Sequence, residues 1–342
     1  MAEEVIPGEL EIADELIAER RAEEPGETPA DMTPWQRPIT AKIDVLNNWF
    51  GRIICLLLVP LIFVMVFEVV SRKAFSMLVE NDMGELARQL GLGPTLWAYD
   101  ISRMTGGVMF MGAAGYGLMR GVHIRADFLY RNWTAKTQAT VDATLYLAFY
   151  FPAMLFFFWS SWQYGLKAFG QDIFNIAGWE RASDSTWAPV MAPARMFMPI
   201  GAFLLFLQGF PELFRAFHQM GKDREAKFVR FLPFYFIGLA AVFVTIFYPD
   251  VLPLGDWLSG ASIFNFSKPV IGMFMLAAML FSIFVGFPIS FTLIFLAFVF
   301  GAWGGNFKLT FFLQTLQTNQ VMLDDQLVAV PLFTFMGIMM EK

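Results

Sequence analysis

The chain has 342 residues, 57% hydrophobic and 16% charged, with 40 Phe, 21 Met and 10 Trp. Its mean hydropathy is +0.53; a soluble domain averages about 25% charged residues, so that class is excluded and an integral membrane protein is expected. The formal charge of −6 is uneven: residues 1–31 hold eleven acids against two arginines, a balance of −9, and the remaining chain is +3.

The first expected element is an acidic cytoplasmic tail, residues 1–42, with one short helix around Glu9–Glu23. It lacks the basic start and apolar centre of a signal peptide. Apolar runs follow at Leu46–Val70, Leu96–Met119, Ala143–Leu166, Met196–Phe210 and Phe231–Tyr248. Crossing a bilayer takes about 20 residues of helix. The uncharged stretch after Lys268, reaching Phe307, would be roughly 58 Å long as one helix, about twice the hydrocarbon thickness. The break "GFP" at Gly286–Pro288 divides it into a hairpin of two spans. "LVAVPLFTFMGIMMEK" reads as a further span. Lipid cannot satisfy bare backbone groups, so the expected class is an all-α integral membrane protein with about 7–8 transmembrane helices.

Lys and Arg near the span ends set orientation. Arg37, Lys42, Arg52, Arg120, Arg125, Arg131, Lys136, Arg215, Lys222, Arg224, Lys227 and Arg230 fall on one side, twelve in all; the other side has seven, mixed with acids. The richer side is expected to be cytoplasmic, with the N-terminus inside. "RGVHIRADFLYR" is then a cytoplasmic surface loop. Arg120, His123, Arg125, Asp127 and Arg131 read as orientation charges, local ion pairs and lipid-headgroup contacts; a direct part in substrate or proton movement is the alternative. Tyr130 and Trp133 suit the aromatic belt.

Three further sets of residues stand out. Asp100 and Arg103 open the second run one turn apart, close enough to pair with each other; contact with another subunit is the alternative for charges so near a span. Glu68 and Arg72 form a similar i,i+4 pair. Trp179 and Trp187, in the long outer loop, read as interfacial anchors or as part of a docking face for a soluble partner. The lone Cys55 excludes an internal disulfide framework. His123 and His218 sit beside charged stretches, which argues against haem on paired axial histidines. The sequence contains no Walker loop, metal-ligand spacing or nucleophile elbow, so an enzyme is not expected.

The stretch "WAYDISRMTGGVMFMGAAGYGLM", followed by "RGVHIRADFLY", resembles the second span and loop of the small permease subunit of tripartite ATP-independent periplasmic (TRAP) transporters. That family reads Gly-Gly-His-hydrophobic-Arg-Val-Asp there; Val122 replaces the second glycine. "FEVVSRKAF" and "SDSTWAPVMAPARMFMPIGAFLLFLQ" resemble its first-span ending and fourth-span entry. "VGFPISFTLIFLAFVFG" and the segment after it resemble the start of the large permease subunit. The resemblance implies four regions: the tail, 1–42; a small-permease-like four-helix domain, 43–217; a linker with one extra span near 231–248, 218–268; and the truncated start of a large-permease-like domain, 269–342. The extra span is expected to be a topological adaptor without a ligand of its own.

What the resemblance further implies is a permease in the bacterial inner membrane, coupled to sodium and importing a small organic acid. Its partners would be a periplasmic solute-binding protein, the remainder of the large permease and membrane lipids, with no nucleic acid. No cofactor is expected in this chain, and the sodium and substrate sites are expected beyond Lys342. The rival reading is a non-transporting anchor of another membrane complex.

Overall fold

An apolar chain in lipid must pair its backbone groups internally, and helices run through most of this computed structural model. The structure describes residues 32–122, 133–170, 172–183, 185–247, 268–285, 288–303 and 307–341. The expected tail helix at Glu9–Glu23 and the loop residues His123, Arg125, Asp127 and Arg131 lie outside the described residues.

Helices α1 (Gln36–Cys55) and α2 (Leu58–Glu80) run almost in line as a rod of 45 residues. At 1.5 Å per residue the rod is about 67 Å long, so its ends extend past any bilayer core. A short α3 (Gly84–Gln89) follows. The polar stretch 77–90 is thus divided between the end of α2 and α3. The second apolar run forms α4 (Ala98–Gly112) and α5 (Ala114–Met119), parted at Ala113. The third run is α6 (Ala135–Leu145), a π-helical turn at Tyr146–Tyr150, and α7 (Phe151–Lys167). Helix α8 (Ala192–Met220) carries the fourth run and α9 (Lys222–Phe247) the fifth. The hairpin is α10 (Lys268–Val285) and α11 (Ile289–Trp303). Helices α12 (Phe307–Met322) and α13 (Asp325–Glu341) meet at a 45° bend.

Among the described residues, four helices are long and apolar enough to cross a membrane, or five if the bent pair counts as one span. Helices α10 and α11 are shorter apolar helices.

The buried centre lies between α6–α7 and α8. Tyr146, Tyr150 and Phe151 are fully enclosed. The Tyr150 hydroxyl donates to the Leu205 carbonyl, and its ring occupies the space that a side chain at Gly209 would need. Phe151 packs on Phe206, Phe210 and Phe236, bringing α9 into the same cluster. Tyr235 of α9 donates to the Leu147 carbonyl. Apolar burial drives little association between helices in lipid, so close backbone approach has to supply packing. Gly201 of α8 lies against the Met111 carbonyl, and Gly112 admits Ile54, whose Cδ1 would be 2.8 Å from an added Cβ. Large apolar side chains cover the outer faces, with Phe63, Phe234 and Phe281 all strongly exposed. Apolar area on this scale marks a lipid-facing or protein-facing surface.

Candidate functional site

Polar groups gather at the two ends of the helix bundle, here the tail end, near Gln36 and Met220, and the far end, near Asp100.

At the far end, Asp100 lies in the first turn of α4 and is 2% exposed. Its Oδ1 is 3.5 Å from Nη2 of Arg103, one turn on. The Ser185 hydroxyl donates to its other oxygen. The Arg103 guanidinium lies over the Tyr99 ring, 5.0 Å from the centroid. The Tyr99 hydroxyl donates to the Asp325 carboxylate at 2.6 Å. These groups connect the outer loop, α4 and the first residue of α13. Beside them Glu68 accepts from Arg72 and from the backbone and hydroxyl of Thr95, fixing the entry to α4 against α2. Ser71 both donates to the Gly93 carbonyl and accepts from its N–H.

The outer loop has its own order. An isolated antiparallel bridge joins Arg181 to Val190, and Arg195 pairs with Glu180 while lying 4.8 Å over the Tyr164 ring. Trp179 donates its indole N–H to the Ile173 carbonyl and stands edge-on to Phe169, 4.9 Å between centroids. Trp187 is exposed and helps line a shallow cleft with Ile101, Met104 and Thr105 of α4. The two tryptophans therefore differ: Trp179 knits the loop together, whereas Trp187 presents surface.

At the tail end, α1 buries an inverted stripe. Gln36, Thr40, Asp44, Asn47 and Gly51 face inward, and Val45, Trp49 and Ile53 face outward. Asp44 accepts from Gln208 Nε2 at 2.9 Å and from Arg215 Nη2 at 2.5 Å. Arg215 gives its other terminal nitrogen to Glu212 at 2.5 Å. Asn47 donates to Gln208 Oε1 at 2.8 Å, completing a ladder between α1 and α8. Charge-assisted bonds of this forked kind fix geometry as well as attraction.

Sequence reasoning took Arg215 only as an orientation charge. The structure makes it the clamp between two carboxylates. The available signal was the 4-4-3-4 spacing of polar and small residues from Gln36 to Gly51, which places them on one helical face. Arg120 donates to the Tyr116 hydroxyl at 3.2 Å and lies over that ring, and the ring fills the notch left by Gly51.

Helix α4 also seats the bent pair. A side chain at Gly107 would strike the Met322 carbonyl, and one at Gly106 would lie 3.0 Å from Val328 Cγ2. Two adjacent glycines therefore let the α12–α13 bend rest directly on the α4 backbone. Among the described residues no group of three or more His, Cys, Asp or Glu is placed to hold a metal ion. The paired charges and close helix contacts hold elements in place.

Residues 61–219 match the family model for Tripartite ATP-independent periplasmic transporters, DctQ component. No curated protein matches the chain. The matched stretch begins within α2, ends within α8, and includes the Asp100–Arg103 pair, the outer loop and the Gln208–Arg215 side of the ladder. Over that stretch, somewhat less than half of the chain, it is similar to the DctQ family of TRAP-transporter small permeases, which supports a membrane component of such a transporter.

Proposed function

We propose that this chain is the scaffold of a sodium-coupled, binding-protein-dependent importer of a small organic acid, together with the opening segment of the transporting half. The observation that carries the reading is the seat on α4. The DctQ-like bundle presents Gly106, Gly107 and Tyr99 to a bent helix pair of the large-permease-like segment, a direct backbone seat between the two halves. A bundle fixed by buried ion pairs at both ends suits a part that stays still. The Trp187 surface would receive the periplasmic binding protein.

Proteoliposomes holding the complete transporter that contains this chain, with its cognate binding protein outside, should accumulate a labelled small organic acid under an inward sodium gradient. Binding-protein-dependent uptake that ignores sodium would contradict the coupling, and the absence of any carboxylate uptake would favour the anchor reading.

In this reading α9 is a topological adaptor. Its first turns adjoin the basic tail-end cluster, and the large-permease-like segment must start on the opposite side. Deleting Phe231–Tyr248 should therefore move Gly255–Lys268 across the membrane or block insertion of the hairpin. A cysteine at Ser262 in a Cys55→Ser background reports the side through an impermeant thiol reagent. Labelling from outside both with and without the helix would remove the adaptor role. Replacing the side chains of α9 is expected to be harmless only if Tyr235, Phe236, Phe243 and Phe247 stay, because they bond or pack onto α6–α8 and α12.

A further inference from the structure

A concave site of about 360 Å³ lies where α7, α9 and α12 meet, towards the far end. Along α7 its wall changes from apolar at Trp159 to polar at Gln163, Tyr164 and Lys167, over about 12 Å of helix. Ile246 and Phe247 of α9, with Phe311 and Phe312 of α12, add apolar surface. The Ser160 and Thr315 hydroxyls, also on the wall, bond to each other and to the Phe311 carbonyl, so their donors are taken. Arg195 lies over the Tyr164 ring, but its charge is matched by Glu180. Among the described residues the Lys167 ammonium and the Gln163 amide have no hydrogen-bond or ion-pair partner, and no acid lines the site.

We propose that this site binds an anionic phospholipid, phosphatidylglycerol, from the far-side leaflet. Lys167 offers the lipid phosphate one positive charge and three N–H donors, and the Gln163 amide can donate to the phosphate and accept from the glycerol hydroxyls. One cation with no acid beside it gives the phosphate a partner. The same set leaves the ammonium of phosphatidylethanolamine or phosphatidylcholine without one. An acyl chain then covers Trp159, Phe247 and Phe312. The occupant is a lipid because the polar end of the site lies where the membrane surface begins. The uncharged run of α7 ends at Leu166, Lys167 is the last residue of the helix, and the exposed Trp162 stands just over one turn before it. The next residue, Ala168, already accepts a backbone bond from Glu180 of the outer loop. Phe312 is 51% exposed, an apolar rim suited to acyl chains. Bound there, the lipid ties α7 to α9 and α12 at the far end.

The test is native mass spectrometry of the full chain, released from detergent with equal amounts of phosphatidylglycerol, phosphatidylethanolamine and phosphatidylcholine. The wild type should retain phosphatidylglycerol roughly fivefold over the other two, the scale of one lysine near a charged lipid surface. Lys167→Gln, a change at an exposed side chain, should abolish that preference. Ile246→Trp, which fills the apolar part of the site and leaves the charge in place, should abolish it too. Lys73→Gln, which removes another exposed lysine at the same end of the bundle, should leave it unchanged. Equal retention of all three lipids, a preference that survives Lys167→Gln, or one lost equally in Lys73→Gln overturns the proposal. Displacement of the lipid by an equal concentration of soluble glycerol phosphate would also overturn it, by assigning the site to a free phosphoester.

Discussion

Arg215→Met should destabilise the chain by about 3–5 kcal/mol, the usual result of removing one member of a buried ion pair. The arginine is clamped between Asp44 and Glu212, and all three side chains are at least four-fifths enclosed. Without it two carboxylates remain close together with no cation between them, and α1 loses its charged hold on α8. The distinguishing expectation is rescue. Adding Asp44→Asn and Glu212→Gln to Arg215→Met should recover most of the loss, because the stranded charges are gone. Thermal unfolding followed by size-exclusion chromatography in detergent measures both. A single variant as stable as the parent, or a triple variant no better than the single one, would show that the clamp is incidental.

Gly107→Val should detach the α12–α13 bend while leaving the small-permease bundle folded. The added Cβ would meet the Met322 carbonyl, which is backbone and cannot rotate away. Overpacking of this kind costs about 1–3 kcal/mol, and it falls on one interface. Proteolysis between Met322 and Asp325 should become faster, whereas cysteine pairs across α1 and α8 should cross-link as before. Loss of both would mean that the bend and the bundle fold as one unit.

The parts of this protein that were legible in its sequence are those governed by local spacing. Apolar length gave the runs that became α2, α7, α8 and α9, and "GFP" marked the break between α10 and α11. The Asp100–Arg103 and Glu68–Arg72 pairs follow from i,i+3 and i,i+4 geometry. Contacts between distant positions had no such signature. Asp44 and Arg215 are 171 positions apart, and Tyr99 and Asp325 are 226 apart. Their side chains alone say that they are polar near a span, not which partner they meet. Helix α12 was passed over because "LQTLQTNQ" is too polar to read as a span, yet its Thr315 and Ser160 share a hydrogen bond at the α7 interface. Helix α2 continues beyond Arg72 and Lys73, where hydropathy alone would end it, because those side chains can extend away from the apolar face.

The central claim is that α4 is a fixed seat for the bent pair during transport. The direct measurement places cysteines at Tyr99 and Asp325 in a Cys55→Ser transporter, joins them with a short bis-thiol reagent, and follows sodium-driven uptake in proteoliposomes. The account predicts that cross-linked transporter takes up substrate at about the rate of the same protein left unlinked. Uptake that stops on cross-linking and returns when a cleavable linker is reduced would contradict it, and would make this contact part of the moving machinery.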